Sequence, residues 1–251
     1  MNDFLRRLAN MNRDMPKSTK NIFVVLFVVL AGYMLYKLYQ MPSILIMIAA
    51  FYFAIVLHEI AHGAMAYFYG DPTAKIAGRL SLNPIKHVDI IGMVIPMIFM
   101  LFGLSAIGWA KPVPVNYRLL KRGNLSIFMV SIAGVAVNFI LAFLAGIAMV
   151  LLGRLNIPVY ISSIIKIFLI YSININVVLG VFNLIPIPPL DGSRILYIFS
   201  DSKVRRFLDS MEIYGIFIIL ILMSLGVIER IISPISGFVI GIMLNYIGAI
   251  L

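Results

Sequence analysis

His58, Glu59 and His62 are the residues whose types and spacing most directly indicate chemistry. Histidines four positions apart share one face of a helix, and Glu59 lies close enough to reach a ligand held between them. This His-Glu-x-x-His pattern is typical of a zinc site, in which two imidazoles bind the metal and the carboxylate is a general base. The pattern therefore predicts metal-assisted hydrolysis.

The pattern lies inside the apolar run Ile44–Tyr69. An ionisable side chain at membrane depth costs about 2.5–3.5 kcal/mol on insertion scales, and such side chains tend to be functional. That penalty argues against a chance occurrence. The chain has three histidines, and we interpret the third, His87 in a loop, as an interfacial residue rather than a ligand.

Asp191 is the candidate for a third ligand. It ends the stretch Asn183–Asp191, whose three prolines must break a helix. A catalytic zinc site usually has three protein ligands, and a chain without cysteine must supply nitrogen and oxygen atoms. The alternative is that Asp191 and Gly192 cap a helix at the membrane interface. The need for a third ligand favours Asp191 in that role. We therefore expect one Zn²⁺ per chain, bound by His58, His62 and Asp191.

The composition predicts a membrane protein. Of 251 residues, 62% are hydrophobic and 12% charged, whereas a soluble domain is about half apolar and a quarter charged. We expect an all-α polytopic protein of a prokaryotic cell membrane, forming a single domain over residues 1–251. Within it, residues 1–21 would be a cytoplasmic N-terminal segment. The net charge of +10 fits basic cytoplasmic loops and does not require a nucleic-acid partner.

Six apolar runs are predicted to cross the membrane, and a seventh, Ile90–Ile107, is predicted to be re-entrant because it is short and contains Pro96. Residues 73–82 and 109–116 alternate in polarity and predict short cytoplasmic β-strands; Pro112 and Pro114 would make the second an edge strand. The six predicted crossings are Ile22–Tyr39, Ile44–Tyr69, Ser126–Leu152, Tyr160–Ile185, Tyr214–Ile228 and Ile231–Ile250.

The distribution of charge supports this topology. With a cytoplasmic N-terminus and a re-entrant Ile90–Ile107, sixteen of the twenty Lys and Arg residues fall in cytoplasmic segments. The same arrangement places the two histidines and Asp191 on the cytoplasmic side. A full crossing by Ile90–Ile107 would separate Asp191 from the histidines, so ligand geometry also favours the re-entrant segment.

The paired motifs resemble the site-2 proteases, which are intramembrane zinc metalloproteases. His58-Glu59-Ile60-Ala61-His62 in a membrane helix and Asn183-x-x-Pro186-x-x-Pro189-Leu190-Asp191-Gly192 carry the resemblance. The loops Gly78–Pro84 and Gly108–Asn116 resemble the compact branch of that family, which lacks PDZ and CBS domains. The resemblance extends from about Phe51 to Ile195, which implies that residues 51–195 form the catalytic core.

The resemblance implies that His58, His62 and Asp191 bind zinc, that Glu59 is the base and that Asn183 supports catalysis. It also implies cleavage of transmembrane protein substrates within the lipid bilayer, as in regulated intramembrane proteolysis. The family often has a Gly-Pro pair before an asparagine, whereas here Asn138 follows Ala133-Gly134 without the proline. Asn138 is therefore a candidate for a supporting role only.

Several alternatives remain open at this level. Asn183 or Asn138 could donate to the oxyanion, but Asn176, Gly180 and Asn138 also fit close helix packing. A metal-ion or proton-coupled transporter would also place His, Glu and Asp beside a broken helix, although no inverted repeat is present. A non-catalytic scaffold would leave the embedded Glu59 without a purpose.

Overall fold

A computed structural model describes residues 21, 22, 25, 28, 29, 32, 33, 35, 36, 39–83, 86, 87, 112–212 and 214–250. The chain forms two units, Met1–Leu45 and Ile46–Leu251. In the first, the described residues between 21 and 40 are helical. The numbered helices are α1 Ser43–Phe68, α2 Thr73–Ile76, α3 Asn124–Leu152, α4 Val159–Asn183, α5 Asp191–Phe199, α6 Ser202–Met211, α7 Gly215–Ser224 and α8 Val227–Ile250.

Within the part of the chain that the structure describes, four helices are long and apolar enough to cross a membrane: α1, α3, α4 and α8. A fifth span results if α6 and α7, which are bent by 72° from each other, are counted together. The predicted all-α membrane class is therefore confirmed. With 10 residues, α7 is about 15 Å long, half of the hydrocarbon thickness, so it is not a crossing on its own.

Two predicted membrane segments are not covered in full. Ile90–Ile107 lies entirely outside the described residues, and Ile22–Tyr39 is described only in part. The prediction of six crossings therefore rests on the sequence.

The predicted strand over residues 73–82 is wrong, because Thr73–Ile76 is a helical turn. Asp71 starts this turn by accepting hydrogen bonds from the backbone N–H and the hydroxyl of Thr73. The turn ends in a Schellman arrangement: Gly78 has a φ of 66°, and Arg79 N–H donates to the Ala74 carbonyl at 2.9 Å. Local turn chemistry thus overrides the alternating pattern.

Residues 112–116, part of the second predicted strand, have no strand partner in the part of the chain that the structure describes. They are instead held by side chains of α1 and of the loop that follows it. Residues 109–111 lie outside the described ranges.

α3 and α4 pack as an antiparallel pair at the centre of the second unit. Phe139 of α3 meets Gly180 of α4, where an added Cβ would lie 2.9 Å from the phenyl ring. Further along, Leu152 and Leu169 share an apolar cluster. α8 joins this pair through Ile247, which packs on Gly146 of α3. Gly146 and Gly180 thus allow close helix approach, as small residues do in membrane proteins.

Candidate metal centre

α1 presents His58 and His62 on one buried face. Their Nε2 atoms lie 2.9 Å apart, and the two rings meet edge to face. Gly134 of α3 lies directly against the rings: a Cβ there would be 2.5 Å from His62 Nε2 and 2.6 Å from His58 Cε1. Only a glycine at this position lets α3 pack against α1 without displacing the imidazoles.

Asp191 lies far from the two histidines along the chain, yet its side chain reaches the same point. Its Oδ2 atom lies 3.2 Å from the Nε2 atoms of both histidines. Asp191 is the first residue of α5, while the helix N-cap is Leu190 and no side chain caps it. An interfacial capping role for Asp191 is therefore wrong. Gly192 permits the tight approach, because a Cβ there would run into the carbonyl of Leu184.

The hydrogen bonds of the two imidazoles fix which atoms face the centre. His62 Nδ1 lies 2.7 Å from the Val130 carbonyl, and His58 Nδ1 lies 2.6 Å from Asn138 Oδ1. Because a carbonyl oxygen can only accept, His62 carries its proton on Nδ1 and turns the lone pair of Nε2 inward. Outer hydrogen bonds of this kind orient metal-binding histidines.

The three donor atoms fit a tetrahedral metal ion. Zinc ligands at about 2.0–2.1 Å from the metal lie about 3.3 Å apart, and the observed separations are 2.9, 3.2 and 3.2 Å. Asp191 Oδ2 is buried and accepts no hydrogen bond from the described residues. A cation between these atoms would satisfy both the orphaned oxygen and the two facing lone pairs.

Glu59 is half-buried, next to His58 on α1, and is fixed by a separate contact. Its Oε2 atom accepts a hydrogen bond from the backbone N–H of Val113 at 2.7 Å. Val113 is itself buried, and its side chain lies so close to Gly63 that a Cβ on that glycine would be 2.7 Å away. The candidate base is therefore attached to the segment Pro112–Asn116.

A second carboxylate fixes the other end of this segment. Asp71 is completely buried, and its Oδ2 atom accepts from Asn116 N–H at 2.6 Å. Burial opposes ionisation of this carboxyl, but hydrogen bonds from Thr73 and Asn116 outweigh it and hold the pKa of Asp71 below its ordinary value of 3.8. Lys121 N–H also donates to the Tyr69 carbonyl at 2.9 Å. The loops before and after residues 88–111 thus meet at the C-terminal end of α1.

Comparison with known proteins identifies the family. Residues 156–226 match the model of peptidase family M50. The chain is 37% identical over 216 residues to "Putative zinc metalloprotease YwhC" of Bacillus subtilis (strain 168), covering 85% of this chain and 90% of that protein. The chain belongs to peptidase family M50, the site-2 protease family. This membership confirms the predicted enzyme class, a metalloendopeptidase, over the transporter and scaffold alternatives.

A second relative extends the likeness. The chain is 28% identical over 189 residues to "Putative zinc metalloprotease Rip2" of Mycolicibacterium smegmatis (strain ATCC 700084 / mc(2)155). This match covers 74% of this chain and 69% of that protein. No solved structure matches the chain.

The two candidate supporting asparagines of the M50 chain lie in different places. Asn138 is fully buried against His58, and its amide nitrogen faces Asn176 rather than the metal centre. Asn183 is half-buried at the C-terminal end of α4, where its amide donates to the Leu179 carbonyl at 2.9 Å. The structure thus brings Asn138, but not Asn183, into hydrogen-bond contact with a candidate ligand.

Sequence reasoning missed three groups of the M50 site: the Val130 carbonyl, the Val113 N–H and the space provided by Gly134. The first two are backbone atoms, which every residue carries, so no residue type could mark them. Gly134 is a small residue in a long apolar helix, and sequence alone could assign such a residue only to helix packing.

Proposed function

We propose that the protein is a zinc-dependent intramembrane endopeptidase that cleaves peptide bonds within or next to transmembrane segments of membrane proteins, as in regulated intramembrane proteolysis. The observation that carries the proposal is the convergence of His58, His62 and Asp191 within 4.8 Å, with both histidines inside an apolar span. Family membership and the zinc metalloprotease names of its relatives confirm zinc as the cofactor.

The proposed mechanism assigns a role to each group. His58, His62 and Asp191 would hold zinc, which when bound polarises the scissile carbonyl and activates water. Glu59 takes a proton from the attacking water and later transfers it to the leaving amine. The Val113 N–H holds one oxygen of this carboxylate, which leaves the rest of the group to face the water.

Asn183 is the proposed donor to the developing oxyanion. Its amide has two N–H bonds, one of which is used by the Leu179 carbonyl. Loss of such a donor typically lowers the rate by about 10²–10³-fold.

We propose that the site opens toward the cytoplasm, that the N-terminus is cytoplasmic and that residues 1–251 form one membrane domain with six crossings. The meeting of the loops around Asp71 and Lys121 supports a segment between them that returns to the side it left. Lys75, Arg79 and Lys121 belong to these loops, which agrees with the preference of basic residues for the cytoplasm. A bacterial membrane is proposed from the bacterial relatives.

We propose α7 and α8 as one candidate for the part that moves to admit a transmembrane substrate. An added Cβ on Gly237 or Gly241 would meet no atom of the described residues within 4 Å, so close packing against them does not explain these two glycines. Pro234 further interrupts the hydrogen bonds of α8. A cross-link between α8 and α1 should block cleavage and leave zinc bound; a cross-linked protein with normal turnover would place the gate elsewhere, with Ile22–Tyr39 the other candidate.

The test uses purified protein and a peptide-tagged transmembrane substrate in detergent or vesicles. Glu59→Gln should abolish cleavage and retain one zinc per chain, because glutamine has nearly the same shape but cannot accept the proton. Glu229→Gln, at an exposed position of α8, is the matched control and should cleave normally. Cleavage by Glu59→Gln at a rate near that of the wild type would refute the proposed mechanism.

A further inference from the structure

We infer that Asn176 determines which nitrogen of His58 carries a proton, and therefore which nitrogen is free to bind the metal. Asn176 does not itself hydrogen-bond to a candidate ligand. It would act through Asn138, as a positioning residue. The inference rests on the proposed role of His58 as a zinc ligand. It adds that side chains of α3 and α4 control the position of the proton on this ligand.

Three buried hydrogen bonds connect these residues. His58 Nδ1 lies 2.6 Å from Asn138 Oδ1, Asn138 Nδ2 lies 2.8 Å from Asn176 Oδ1, and Asn176 Nδ2 lies 2.8 Å from the Ser172 carbonyl. The chain of bonds runs from α1 through α3 to α4. Asn138 is completely buried and Asn176 is 3% exposed, so water does not compete for these bonds.

The Ser172 carbonyl sets the direction of every bond in the chain. Because this oxygen can only accept, the NH₂ group of Asn176 must face it, and the amide oxygen of Asn176 must face Asn138. Asn138 then presents its own NH₂ group to Asn176 and its oxygen to His58. An oxygen at that position requires a proton on His58 Nδ1, which leaves the Nε2 lone pair free for the metal.

His62 achieves the same state with no such dependence. Its Nδ1 donates directly to the Val130 carbonyl, a backbone atom that cannot rotate. An asparagine amide can flip by 180°, and a flipped Asn138 would place its NH₂ group against His58 Nδ1. His58 would then carry its proton on Nε2, the atom that has to bind zinc. The 2.8 Å bond to Asn176 opposes this flip, because the other acceptor that faces the Asn138 amide nitrogen, the Ala54 carbonyl, lies 3.5 Å away, at the limit of a hydrogen bond. This explains a buried asparagine two helices away from the ligand.

α4 offers a matched control. Asn174 lies two residues before Asn176, and its Nδ2 atom also donates to the carbonyl four residues earlier, Ile170, at 2.8 Å. Asn174 is exposed and has no hydrogen bond to Asn138 in the structure. A role in helix formation or solubility would be shared by both asparagines, whereas control of His58 belongs to Asn176 alone.

The experiment measures zinc affinity by competition with a chelator, and the His58 tautomer by ¹⁵N NMR of the metal-free protein. Asn176→Leu should weaken zinc binding by about 10–100-fold, the usual effect of losing such an outer partner, and should populate the Nε2–H tautomer. Asn174→Leu should change neither. Asn176→Asp should retain zinc affinity, because a protonated carboxyl can donate to Ser172 and accept from Asn138.

The double variant Asn138→Asp/Asn176→Leu separates polarity from packing. A carboxylate at 138 has no NH₂ group to turn toward His58, so zinc affinity should return to within a few-fold of the wild type although Asn176 is gone. If Asn176→Leu does not fold, Asn176→Ala replaces it in both proteins. Weak zinc binding in the single variant and normal binding in the double variant supports the inference; wild-type binding in the single variant, or equally weak binding in both, overturns it.

His58→Ala distinguishes failure of this inference from failure of the proposed function. If His58→Ala retains full zinc affinity, His58 is not a ligand and the proposed metal site is wrong. If His58→Ala loses zinc but Asn176→Leu keeps both wild-type affinity and the Nδ1–H tautomer, the metal site stands and the inference about Asn176 is overturned.

Discussion

Val113→Pro removes the only atom through which the segment Pro112–Asn116 is seen to hold Glu59. The Val113 N–H donates to the Glu59 carboxylate at 2.7 Å, and proline has no N–H to donate. Pro112 and Pro114 already flank this position, so the extended backbone is suited to a further proline. The substitution therefore tests one hydrogen bond with little change in backbone shape.

The size of the effect follows from the charge of the acceptor. A hydrogen bond to a charged group contributes about 1.5–3 kcal/mol, which corresponds to about 10–100-fold in rate if the bond is needed to orient the base. We expect kcat for a transmembrane substrate to fall by this factor, with zinc content unchanged. In the described part of the chain, none of the three proposed zinc ligands hydrogen-bonds to Val113, so the metal site should be spared.

Val113→Ala is the control, because it keeps the N–H and removes only two methyl groups from the contact with Gly63. Because the change in packing is small, its kcat should stay within about threefold of that of the wild type. Equal kcat values for Val113→Pro and Val113→Ala in the otherwise wild-type chain would refute a role for this bond.

Three further predictions concern the metal centre and its supporting loop. Asp191→Ala should lose zinc, measured by metal analysis after dialysis; full zinc occupancy would exclude Asp191 as a ligand. Gly134→Ala should weaken zinc binding at least tenfold by pushing on both rings. Gly146→Ala on the same helix meets the flexible side-chain ends of Ile247, Leu244 and Met243 and should bind zinc normally; equal affinities would contradict the steric argument. Because the folded-state pKa of Asp71 is lowered, its stabilising effect is present at neutral pH and is lost as the pH falls below 3.8 through that lowered pKa. Hydrogen exchange should show the Asn116 amide losing protection over that range, and losing it already at neutral pH in Asp71→Asn; pH-independent protection would refute the link.

Much of this protein could be predicted from local patterns. Long apolar runs determine the membrane helices α1, α3, α4 and α8, because a segment in lipid must satisfy its own backbone. Helical spacing places His58 and His62 together, and the chemistry of zinc, which needs a third nitrogen or oxygen ligand, leads to Asp191. These inferences depend only on side-chain type and on distance along the chain.

The strands predicted from alternating polarity show the limit of prediction from local patterns. In residues 73–82 the Asp71 side chain and the left-handed Gly78 close a short helical turn, and these contacts outweigh the polarity pattern. The short α7 was likewise hidden inside a longer apolar run. Hydropathy does not report where a helix ends or bends inside an apolar segment.

Tertiary structure alone decided how the metal centre is held. The proton on His62 is set by the Val130 carbonyl, the orientation of Glu59 by the Val113 N–H, and the room for both rings by Gly134. Carbonyls and N–H groups occur at nearly every residue, so their partners become known only when helices distant in the chain pack together. The sequence by itself determines which side chains can bind zinc, and the packing of α3 against α1 determines that their lone pairs point at one place.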